Sequence, residues 1–140
     1  MIGVIIAGHG NFATGVESAI KMIAGACDNL ISVDFEDSMN ENDLRQKIDQ
    51  AFNKLNKNEH IIVFCDILGG SPFKISVEQS NSQSIVVYGS NVSFILEVVI
   101  ERNNIECFDD WFKTKMENAR KYMGVYEYKE VDLNQDEDGI

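Results

Sequence analysis

Two short segments of this sequence carry residue types that can do chemistry together. One is Gly8-His9-Gly10-Asn11; the other is Asp66-Ile67-Leu68-Gly69-Gly70-Ser71-Pro72. A neutral imidazole is a nucleophile near pH 7. A carboxylate that accepts the proton of one ring nitrogen leaves the other nitrogen free to attack. Glycines in both segments let backbone come close to the reacting groups. Where such segments lead into helices, the free N–H groups and the dipole at the helix start favour a phosphoryl group. The set suits transfer through a phosphohistidine, with oriented N–H donors meeting the charge on the phosphoryl oxygens. That chemistry requires no metal or cofactor, and no cluster with metal-ligand spacing is visible in the sequence.

Taken singly, each piece has a plainer reading. A lone histidine after a strand is usually a loop residue. Asp66 can simply cap a turn, and Gly-Gly-Ser-Pro is often only a turn. Cys65 adjoins Asp66, but strand alternation points it to the other face, into the core. His60 follows a polar loop and reads as solvated. Trp111 sits at helical spacing and reads as core. What favours chemistry is that both segments fall at strand ends.

The elements that must position them follow from hydrophobic spacing. Ile2 to Ala7 is a continuous apolar run, a strand buried on both faces. Phe12, Val16, Ala19, Ile20 and Ile23 recur at helical spacing up to about Gly25. Leu30 to Phe35 reads as a second strand. A polar stretch over Ser38 to Asp43, rich in capping residues, precedes a helix carrying Leu44, Ile48, Ala51, Phe52 and Leu55. His60 to Cys65 is a third strand. Ser71 as N-cap and Pro72 as first helical residue signal a short helix to about Ser80. Ser84 to Tyr88 is a fourth strand. Asn91 caps a helix that is apolar nearly all round from Val92 to Ile100, which predicts burial or an interface. Phe108, Trp111, Phe112, Met116, Ala119 and Tyr122 form a last helix, with Gly124 placed to end it. Four strands alternating with helices predict a doubly wound, parallel α/β sheet. In such sheets ligands bind at the carboxyl ends of the strands, at the topological switch point. Val125 to Val131 is strand-like without a loop in which to turn back, and Asn134 to Ile140 is acidic and expected to be disordered.

Composition narrows the function classes. The chain has 140 residues, the scale of one domain. Lys and Arg number 12 against 23 Asp and Glu, a net charge of −11, which argues against a general nucleic-acid binder. Cys27, Cys65 and Cys107 are scattered, with no paired spacing. No apolar run is long enough to span a membrane, and no basic, then apolar leader opens the chain. A soluble, reduced, cytoplasmic domain is expected.

A second function class has a foothold. Gly8-His9-Gly10-Asn11-Phe12-Ala13 fits the G-x-G-x-x-A dinucleotide fingerprint, with Asp34 and Glu36 closing the next strand. Against it, the chain is short for a cofactor domain plus a substrate domain. It offers no group for hydride chemistry, and the match leaves Asp66 to Pro72 unexplained. Nucleotide titration separates the two classes.

Ile5 to Gly15 resembles the phospho-acceptor segment, with its His-Gly pair, of the enzyme IIA domain in the mannose/fructose/sorbose branch of the bacterial sugar phosphotransferase system. Asp66 to Phe73 resembles that family's D-x-x-G-G-S-P-F block, and Gly89-Ser90-Asn91-Val92 resembles a third block, G-x-N-hydrophobic. The likeness in order and spacing covers essentially the whole chain. It implies a phosphocarrier in which His9 takes a phosphoryl group from HPr and passes it to a IIB partner, and through IIB to the membrane components IIC and IID. Asp66 would orient His9, while Gly10, Asn11, Gly69, Gly70 and Ser71 would line the phosphoryl site. The expected fold is three-layer α/β/α with strand order 2-1-3-4 over residues 1–133, and a C-terminal strand exchanged in a homodimer. Two departures stand out: Ser93 replaces the family's usual proline, and Lys74 replaces a polar neutral residue. A cation in a helix's first turn opposes the dipole, but it can attract phosphate or an acidic partner. The phosphoryl-donor subunit of dihydroxyacetone kinase is a close relative, separated by His-Ser where this chain has His9-Gly10. A domain that senses phosphorylation without passing it on needs the same acceptor.

Overall fold

The apolar run at the start forms a strand because β-branched residues fit a pleated sheet and every side chain has a core to enter. In the computed structural model, which describes residues 1–131, this is β1 (Gly3–His9). It is followed by α1 (Phe12–Ala24), β2 (Leu30–Phe35), α2 (Glu41–Lys54), β3 (Ile61–Cys65), α3 (Ser71–Gln79), β4 (Ser84–Val87), α4 (Val92–Glu101) and α5 (Phe108–Ala119). The four strands form one sheet in the order β2-β1-β3-β4, all pairs parallel. The predicted order is therefore the observed one. Ala7 pairs with both Val33 and Cys65, so the carboxyl ends of the central strands lie side by side.

Strand alternation splits the core into two layers. Val4, Ile6, Ile62 and Phe64 face α1, α4 and α5; Ile5, Ala7, Val63 and Cys65 face α2 and α3. Cys65 is fully buried, as its alternation predicted. Phe64 meets Phe94 of α4 edge-on at 5.3 Å. Trp111 is half-buried against the first layer. Lys115 joins α5 to α4 through Glu97, at 2.9 Å, and Glu101.

Side chains secure the ends. Asn40 caps α2 in a reciprocal capping box with Asp43. Asn91 caps α4 by accepting the Phe94 N–H at 2.9 Å, and Ser93 is exposed in its first turn. Arg102, almost fully buried, donates to the carbonyls of Ile2, Asp28 and Asn29, tying the end of α4 to the starts of β1 and β2.

The structure corrects several expectations. Gly70, not Ser71, is the N-cap of α3, so Ser71 opens the helix and Pro72 comes second. β3 begins at Ile61 rather than His60, and β4 stops at Val87 rather than Tyr88. His60 is not simply solvated: its ring stacks on Phe108 at 4.0 Å. α4 buries Phe94, Ile95, Val98 and Val99 but leaves Ile100 60% exposed. α5 ends at Ala119, five residues before Gly124, where apolar spacing alone marked no stop. Val125 to Val131 form no strand within the single chain, and Val125, Tyr126 and Tyr128 are exposed. The acidic segment 134–140 lies outside the described residues.

Candidate functional site

β1 ends at His9 and β3 ends one residue before Asp66, at the switch point between the two halves of the sheet. Asp66 Oδ2 accepts the backbone N–H of His9 at 2.8 Å and also faces His9 Nδ1 at 2.7 Å. Its Oδ1 accepts the Ile67 N–H at 2.8 Å. An ionised carboxylate only accepts, so Nδ1 carries the proton and Nε2 keeps its lone pair. Burial pushes the Asp66 carboxyl up, but the bonds from the His9 N–H, its ring and the Ile67 N–H outweigh that and hold it below the usual range. The Asp66 side chain is 13% exposed and that of His9 is 44% exposed, so the carboxylate is shielded while the imidazole is open to solvent.

The glycines have separate tasks. A Cβ at Gly70 would stand 2.6 Å from His9 Cε1 and 3.3 Å from Nε2, so the start of α3 lies directly against the imidazole. Gly10 and Gly69 both adopt left-handed backbone, φ 57° and 81°, which turns the chain sharply out of each strand. Gly10 donates its N–H to Phe35 at 2.8 Å, and the Phe35 ring flanks His9 at 5.9 Å. Asn11 is the N-cap of α1 without a side-chain cap bond. The first turn of a helix leaves its N–H groups without intrahelical partners, and α1 and α3 both begin here.

Ser71 is otherwise engaged. Its hydroxyl donates to Glu41 Oε1 at 2.8 Å, across from α3 to the first turn of α2. Neither Glu41 nor Phe35 was singled out from sequence. Their proximity comes from the packing of α2 on α3 and of β2 on β1, which leaves no mark in local spacing. Lys74 is exposed in α3, and among the described residues it makes no ion pair.

The dinucleotide features are used differently. Both carboxylate oxygens of Asp34 are taken by Thr14, its N–H at 3.0 Å and its Oγ1 at 2.6 Å, so Asp34 secures the start of α1. A Cβ at Gly8 would lie 2.5 Å from Phe12 Cδ1, so that glycine serves packing within the motif. Of the two acidic residues that could hold a ribose, Asp34 is occupied.

Fold and site together define a parallel α/β domain with a carboxylate-oriented histidine at its switch point. Residues 3–114 match the family described as PTS system fructose IIA component. Over 111 residues the chain is 30% identical to the PTS fructose-specific EIIA component of Bacillus subtilis, covering 78% of this chain and 76% of that protein. It is 25% identical over 135 residues to the PTS mannose-specific EIIAB component of Escherichia coli K12, covering 94% of this chain and 41% of that longer protein. The crystal structure of the phosphotransferase system component EIIA from Streptococcus agalactiae superposes with a TM-score of 0.77 at 30% identity, covering 89% of this chain and 97% of that one. The chain belongs to the EIIA component family of the sugar phosphotransferase system. No helix among the described residues is long and apolar enough to cross a membrane.

Proposed function

We propose that His9 accepts a phosphoryl group from phospho-HPr and passes it to a IIB component, and through it serves IIC and IID during sugar uptake. The observation that carries this is the double grip of Asp66 Oδ2 on the backbone N–H and Nδ1 of His9. It fixes one tautomer and leaves Nε2 as the attacking atom. In the exchange, the donor's bond to phosphorus breaks and its electron pair stays with the donor. The Nε2 lone pair forms the new N–P bond, and the Nδ1 proton remains on the hydrogen bond to Asp66. The positive charge gained by the ring lies against the carboxylate. Gly10, Asn11, Gly69, Gly70 and Ser71 line the space in front of Nε2, where the starts of α1 and α3 offer N–H groups to the phosphoryl oxygens. Transfer onward is the same step reversed onto another acceptor.

The carrier domain in this reading spans residues 1–133 and works in the cytoplasm, as a homodimer in which the exposed Val125 to Val131 segment pairs with a second copy. The test is to incubate the protein with phosphoenolpyruvate, enzyme I and HPr, then map the label. The expected result is an acid-labile, base-stable phosphoramidate on His9 and none on His9→Ala. A label on His60 or Ser71 overturns the assignment.

A further inference from the structure

The hydrogen bond between Ser71 and Glu41 joins the first residues of two helices, and neither residue is an N-cap. α2 is capped by Asn40, and α3 by Gly70 without any side-chain bond. Yet it engages the side chain next to the residue that touches His9. A serine hydroxyl has one proton to give. Here that proton goes to Glu41 Oε1 at 2.8 Å. Among the described residues, Glu41 accepts no other side-chain bond and makes no ion pair. It is an exposed carboxylate in the first turn of α2, joined by this contact to the first residue of α3.

We propose that Glu41 is a positioning residue that competes with the phosphoryl group for the Ser71 hydroxyl proton, and so keeps phosphohistidine at His9 easy to transfer. The inference rests on the reading of His9 as a phosphoryl carrier with Ser71 in its phosphoryl site. With its proton on Glu41, Ser71 turns only lone pairs toward other neighbours, and these repel a phosphoryl oxygen. A phosphoryl group on Nε2 must draw the hydroxyl off Glu41 or do without it. If it draws the hydroxyl away, Glu41 loses the side-chain donor it has in the free form. Either course raises the phosphorylated form relative to the free one. A carrier gains from this, because a group bound too well is not passed on.

The experiment measures the equilibrium constant for phosphoryl exchange between phospho-HPr and the full chain. Glu41→Ala frees the Ser71 proton and is expected to raise the constant toward the phosphorylated chain by about tenfold, the scale of a hydrogen bond to a charged group. Glu41→Gln keeps an acceptor without the charge and should fall between Glu41→Ala and the parent. In a Ser71→Ala background the Glu41→Ala change should have no further effect. An equal effect of Glu41→Ala in both backgrounds would mean simple charge repulsion and overturn the proposal. So would an unchanged constant in Glu41→Ala with His9 labelled normally, and then the carrier reading stands. If the parent protein takes no label on His9, the carrier reading falls and this proposal falls with it.

Discussion

The smallest unit of this site is one carboxylate oxygen with two donors from one residue. Asp66 Oδ2 holds the His9 backbone and its ring at once, so the end of β1 and the tautomer are set by the same atom. Asp66→Ala removes that hold and leaves Nε2 intact. Transfer should slow by about ten- to a hundredfold, the worth of roughly 1.5–3 kcal/mol, while the label stays on His9. Rapid-quench timing of the exchange measures this; an unchanged rate would separate the two residues functionally. Asp66 also carries an acid limb. Its folded pKa lies below that of the unfolded chain, so its contribution to stability is fully present above about pH 3.9. That contribution is lost as pH falls through the folded value. Urea unfolding of the parent and Asp66→Ala should therefore differ by a constant amount near neutrality and converge only under acid.

At the scale of elements, the site depends on how closely α3 approaches β1. Gly70 has φ −73° and ψ 167°, a backbone that any residue adopts, so alanine there costs no conformational strain. Its methyl group would instead meet His9 Cε1 at 2.6 Å. The half-exposed ring can swing away, at the cost of its bond to Asp66. Gly70→Ala is thus expected to lower stability by no more than roughly 1.5–3 kcal/mol, the worth of that one bond, because no core contact is lost. It should slow labelling of His9 about as much as Asp66→Ala does. A variant that labels at the parental rate would show that α3 can retreat instead. Gly69, at φ 81°, is the contrasting case, where strain rather than space forbids a side chain.

At the scale of the whole molecule, the unresolved demand is the segment after α5. Tyr126 and Tyr128 are 90% and 84% exposed, and their apolar faces alternate with Glu127 and Lys129 as in a half-buried strand. Ile100 is exposed as well, on α4. Strand exchange would cover the segment and supply its backbone with partners. The full chain should therefore run as a dimer by light scattering, and truncation after Gly124 should weaken or abolish it. A truncated dimer of equal stability would rule out exchange, and a monomeric full chain would remove the dimer.

The sequence by itself determined the element types, the parallel α/β class and the two segments that meet at the site. Those properties are local: apolar runs of strand length, helical spacing and glycine punctuation act within a few residues of chain. Asn91 reads as a cap from the sequence and does cap α4 through the Phe94 N–H, because capping spans only three residues. Helix ends were less legible. α5 stops at Ala119 although apolar spacing continues to Tyr122, whose side chain is left 39% exposed. The meeting of His9 with Asp66, 57 residues apart, required the strand order, which the resemblance supplied and periodicity did not. Only the tertiary structure decided that Ser71 gives its proton to Glu41 and that Asp34 is spent on Thr14. Each of those bonds joins elements packed side by side, and hydrogen-bond reach of about 3 Å is set by packing, not by chain spacing.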